Sequence, residues 1–176
     1  MCIRDREPCF LLTGKPKKAE DGHSFIGLNP TLTLAYRNGE LTTTDNRGNV
    51  SHETVDLKPV LERILANNKM PKLKGMPPFS GGLVGYFSYD YARYATTANL
   101  PKVDDPMALN DVDLLLIDQV IAYNHTTNEV TLTQVIPTKQ LNQQYDAVIA
   151  DLTRLKEQIL QVTDQRPLPA FTMTPF

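Results

Sequence analysis

The chain has 176 residues, 41% of them hydrophobic and 22% charged, which suits one soluble domain with a sizeable core. A formal net charge of -2 gives nucleic acid or an anionic membrane no electrostatic hold. The longest apolar run, Leu114 to Ile117, is strand-sized and far short of the roughly 20 residues that cross a bilayer.

No apolar signal segment opens the chain, so a cytoplasmic location is expected. Met1 to Arg6 (Met-Cys-Ile-Arg-Asp-Arg) resembles the translated end of a sequencing-library adapter, so residues 1–6 are set aside as an artefact. Cys2 and Cys9 are too few for a disulfide framework or a zinc site and read as unpaired thiols.

Cys9 to Leu12 reads as a short strand, followed by an exposed Lys-, Gly- and Pro-containing loop. Ser24 to Leu28 resumes a strand that Asn29-Pro30 ends. Thr31 to Tyr36 alternates polar and apolar residues, the period of a half-buried strand. Asn38-Gly39 then predicts a type I′ hairpin, because both central residues need positive φ. Leu41 to Thr44 is the returning strand, and Asp45 to Gly48 turns again.

Leu57, Val60, Leu61, Ile64 and Leu65 fall at helical spacing behind a capping Asp56, with Pro59 in the tolerant first turn. The helix should end near Asn67-Asn68, before a Pro-rich connector from Lys69 to Pro78. Gly82 to Tyr89 is an aromatic strand whose glycines admit a close backbone neighbour. Tyr91 to Asn99 suggests a short helix or turn, and Pro101 to Asp111 an acidic loop.

Val112 to Tyr123 is nearly continuously apolar, as in a strand buried on both faces. Asp118 interrupts it and should bond to something. Asn124 to Asn128 turns the chain into an alternating strand, Val130 to Ile136. Leu141, Tyr145, Val148, Leu152, Leu155, Ile159 and Val162 mark a long amphipathic helix, expected to lie on the sheet. The order of elements predicts an α+β fold with a largely antiparallel sheet.

Chemistry is harder to find. His23, His52 and His125 are scattered without metal-ligand spacing. Ser80 to Gly85 lacks the Gly-Lys-Ser/Thr of a phosphate loop, and its glycines enter a strand where a dinucleotide fingerprint would leave one. Asp104, Asp105, Asp111 and Asp113 lack EF-hand spacing. The residues alone describe a non-catalytic α+β module, with a free-standing binding module as one reading of it.

Two segments carry a resemblance. Pro77 to Asp90 (Pro-Pro-Phe-Ser-Gly-Gly-Leu-Val-Gly-Tyr-Phe-Ser-Tyr-Asp) resembles the glycine-tyrosine signature of chorismate-utilising enzymes, above all anthranilate synthase component I. Phe10-Leu11-Leu12 and Ser24 to Pro30 resemble that family's opening "Leu-Leu-Glu-Ser … Ser-Phe-Ile-Gly" pattern. The resemblance implies an N-terminal domain over residues 7–165. Residues 166–176 would start a linker to a missing C-terminal chorismate-binding domain.

It further implies a parent lyase of tryptophan biosynthesis that makes anthranilate from chorismate, with ammonia from a glutamine amidotransferase subunit (component II). The parent's Mg2+ ligands and catalytic residues would lie outside this chain, which would be inactive alone and bind no cofactor. The same resemblance places a feedback site for tryptophan on Leu12, Thr13, Gly14, His23 and Ser24. There Thr13-Gly14 stands where the family has Glu-Ser, and a lost carboxylate is a lost charge-assisted acceptor for an ammonium group. Aminodeoxychorismate synthase component I, of the folate pathway, shares the glycine-tyrosine motif and is the alternative parent.

Overall fold

The computed structural model describes residues 10–13, 22–71, 73–96 and 107–161. Met1 to Arg6, Gly14, Asp104-Asp105 and residues 162–176 lie outside them. The class is α+β, with every strand pairing among the described residues antiparallel.

Among the described residues, nine strands form two sheets. One holds β1 (Phe10–Thr13), β2 (His23–Leu28), β8 (Gln119–Asn124) and β9 (Glu129–Gln134), in that order. The other runs β5 (Val50–Thr54), β4 (Glu40–Asp45), β3 (Leu32–Arg37), β7 (Val112–Ile117), β6 (Gly82–Phe87). The helices are α1 (Leu57–Asn67), α2 (Ala92–Ala95) and α3 (Leu141–Gln161).

The β3–β4 hairpin forms as its turn chemistry requires, with Asn38 at φ 51° and Gly39 at φ 85°. At the next turn the Asp45 carboxylate accepts from the backbone N–H of Arg47 and of Asn49 and from Asn49 Nδ2. The Asn49 side-chain bond leads the causes that hold this carboxyl below its usual range. The chain then re-enters the sheet as β5, which the sequence reading leaves out. All five of its residues are exposed, so no apolar alternation announces it.

Asp56 caps α1 by accepting from the Lys58 N–H at 3.1 Å, a bond worth about 1 kcal/mol. Leu57 is buried, and Val60, Leu61 and Ile64 pack with it against Leu34, Tyr36, Leu41, Val112 and Leu114. This larger core lies between α1 and the five-stranded sheet.

The expected single strand from Val112 to Tyr123 is in fact two. Asp118 separates β7, in one sheet, from β8, in the other. Its backbone carbonyl accepts from Val135 N–H at 2.8 Å, and its carboxylate takes a hydrogen bond from Gln134. A polar residue in an apolar run thus marks where the chain changes sheets. A smaller core of Phe25, Ile117, Val120 and Ala122, joined by Phe79 and Leu115, packs the two sheets at this crossing.

The segment after β6 forms a 3₁₀ turn (Tyr89–Tyr91) and the single-turn α2, shorter than the span expected from Tyr91 to Asn99. Helix α3 lies against β9. Val148, Leu152, Leu155 and Ile159 of its stripe are half-buried, whereas Leu141 and Tyr145 remain exposed.

Candidate functional site

Strand pairing decides which of the sequence-derived site residues meet. Thr13 pairs in register with Ser24, and Ser24 stands opposite Tyr123, so Ser24 and Tyr123 share one face at the end of the four-stranded sheet. Alternation puts His23 on the other face, beside Phe25, with the two rings stacked at 5.9 Å and 13°. Leu12 is opposite Phe25 and is exposed.

His125 completes the cluster. Its N–H donates to Gly22 O at 2.7 Å, which ties the β8–β9 turn to the start of β2. Its Nε2 shares a 2.6 Å hydrogen bond with Ser24 Oγ, whose direction follows the imidazole tautomer. The Tyr123 ring meets the imidazole edge-on at 4.8 Å, and its hydroxyl donates to Asn128 Oδ1 at 2.7 Å. The sequence suggests His125 only as an exposed turn residue. It is exposed, but its partner lies 101 residues away, beyond any local pattern.

The Nδ1 atom of His23 is buried and has no hydrogen-bond partner among the described residues. A buried ring nitrogen in that state favours a ligand or a neighbouring segment that supplies one. Because His23 and Ser24 lie on opposite faces of β2, this nitrogen and the Ser24–His125 pair do not form one surface. Ser24 and His125 resemble a hydroxyl–base pair, yet the third, orienting group of a hydrolytic triad is absent among the described residues. Nor do any three His, Cys, Asp or Glu residues among the described residues stand close enough to hold a metal ion.

A second polar region surrounds Asp118. Burial raises its pKa above the usual carboxylate value, and the bonds from Gln134 and the backbone only partly offset this. The charged residues lining the adjoining clefts are Lys69 and, on α3, Asp151. The folded pKa lies above the unfolded one, so folding disfavours ionisation. Asp118's contribution is most favourable below the unfolded pKa and is lost as pH rises through the folded pKa. Asp118→Asn is accordingly expected to raise the urea midpoint at pH 7 and to leave it nearly unchanged at pH 3. A pH-independent difference between the two proteins would contradict this account.

No family model matches the chain. Anthranilate synthase component 1 of Acetivibrio thermocellus is 32% identical over 90% of this chain and 32% of its own length. The Bacillus subtilis protein of the same name is 28% identical over 92% of this chain and 32% of its own. The chain belongs to the anthranilate synthase component I family.

It spans about a third of the length of the curated relatives it matches. The crystal structure of anthranilate synthase component I from Streptococcus pneumoniae TIGR4 shares the fold. Its TM-score is 0.63 at 17% identity, over 94% of this chain and 34% of that one. The segment resembling the family's glycine-tyrosine signature forms β6 and its flanking turns. Gly81 lies at φ 146° within the entry turn, where an added Cβ would stand 3.0 Å from Ile117 O.

Proposed function

We propose that this chain is the N-terminal, regulatory part of an anthranilate synthase component I subunit. The complete subunit converts chorismate to anthranilate, using ammonia that a component II amidotransferase releases from glutamine. The observation that carries this reading is the match over 90% of the chain to about a third of the Acetivibrio thermocellus relative. Magnesium serves the catalytic part of that subunit, and no described residue here is assigned to it.

Within this reading the chain's residues position rather than react. Ser24 and His125 hold the strand end, and on the other face of β2 the buried His23 Nδ1 has no hydrogen-bond partner among the described residues. No helix among the described residues is long and apolar enough to cross a membrane, and the parent acts in the cytoplasm. The test is anthranilate fluorescence with chorismate, magnesium and ammonium. The 176-residue chain alone should give none, and the complete subunit should give it. Chorismate-dependent aminodeoxychorismate from the complete subunit would instead select the folate branch.

Tryptophan feedback on the parent is weakened. Its support is Thr13-Gly14 in place of Glu-Ser, which removes the acceptor for the ligand's ammonium. Inhibition of the complete enzyme should need far more than micromolar tryptophan. The double change Thr13→Glu with Gly14→Ser should restore sensitivity by about tenfold or more, the effect of one good charge-assisted bond. Full inhibition of the unaltered enzyme at micromolar tryptophan would refute this.

A further inference from the structure

A cleft of about 550 Å³ opens where the chain changes sheets, bounded by the end of α1, Asp118, the exit from β9 and the first turns of α3. A recess of about 230 Å³ adjoins it and shares Thr31, Asn46, Asp118, Gln134 and Val148. Carboxamides dominate the polar lining, among them Asn67, Asn68, Gln134 and Gln144. Val135 and Val148 supply apolar surface.

The electrostatics point one way. Asp118 is half-buried, and a carboxylate has room for more hydrogen bonds than Gln134 and its own backbone provide. Helix α1 ends on the cleft at Asn67 without a basic residue in its last turn, so its own side chains leave the negative end of its dipole unneutralised. Asn68 N and Nδ2 are both engaged with Ile64 O, at 3.1 and 2.8 Å. The one cationic side chain among the described lining residues is Lys69, which is exposed. The nearby Asp151 is paired with Arg154 at 2.8 Å.

We propose that this cleft binds a small organic cation. Its primary ammonium donates to Asp118 and to carboxamide oxygens, and its short apolar body lies against Val135 and Val148. An ammonium fits better than a divalent metal ion, which wants several anionic oxygens, because Asp118 is the only unpaired carboxylate among the lining residues described. The site lies at the opposite end of β2 and β8 from Ser24 and His125, and the proposal does not rest on the family's reaction.

The test is calorimetric titration of the 176-residue chain at pH 7 with n-butylammonium chloride, against potassium chloride and sodium butyrate. Saturable one-to-one binding is expected, with a dissociation constant on the order of a millimolar for so small a ligand. Asp118→Asn should weaken it at least tenfold, and that variant should be the more stable one at pH 7, so lost binding would not reflect lost folding. Lys69→Gln, which removes a like charge, should bind as tightly or more tightly. The proposal is overturned if butylammonium fails to saturate, if Asp118→Asn binds it equally well, or if potassium competes as effectively as the amine.

Discussion

Replacing Gly85 with alanine is expected to cost about 4 kcal/mol or more, the range reserved for changes that the backbone cannot absorb. Gly85 lies opposite Leu114 in the β6–β7 ladder. A Cβ built there overlaps the Asp113 carbonyl oxygen and comes within 2.9 Å of Leu114 Cα. Both obstacles are backbone, so no rotamer change relieves them. Either β6 separates from β7 or the larger core opens. Domains of this size have about 5–15 kcal/mol of stability in total, so the variant should be recovered mostly insoluble, or with a urea midpoint far below that of the parent. An unchanged midpoint would mean that these strands do not approach as described.

Ile117→Ala should be the second severe change, at about 2–5 kcal/mol. Ile117 ends β7 and is 1% exposed, yet it packs with Phe25, which belongs to the other sheet. Among the described residues the cluster contains four buried side chains, so a cavity there removes much of what joins the sheets. The chain has no tryptophan, so circular dichroism and tyrosine fluorescence are the probes to compare during urea unfolding. The variant should unfold earlier, with the two transitions no longer coincident. Ile26→Ala is the control, because Ile26 lies on the other face of β2 and is 37% exposed. Equal losses from both changes would argue against a special role for the crossing.

These expectations depend on contacts that the sequence announces unevenly. The β3–β4 hairpin was legible because Asn38-Gly39 has a local steric reason to turn, and α1 because Asp56 and the Leu57–Ile64 spacing act within a few residues. Strand β5 was not, since pairing with β4 fixes an exposed segment whose side chains carry no burial pattern. The sheet change at Asp118 was half legible. Its polarity within an apolar run showed that something happens there, but the run reads alike on both sides. At the strand-end site, Thr13, His23 and Ser24 came from a family pattern, which could not reveal that His23 and Ser24 face opposite ways. His125 needed the β2–β8 pairing, and no local rule supplies that.

That same pairing governs how the chain can assemble in time. The β3–β4 hairpin and α1 close over short loops, so they can form as soon as their residues are available. Strand β2 waits for β8, with Ser24 and His125 separated by 101 residues. Emerging from a ribosome, β2 has at most β1 beside it for most of the synthesis of this region, and its core residue Phe25 stays uncovered. High contact order of this kind slows folding and lengthens exposure to wrong partners. A pause in translation before residue 119 would therefore be hazardous, and one after residue 134 would let the four-stranded sheet close.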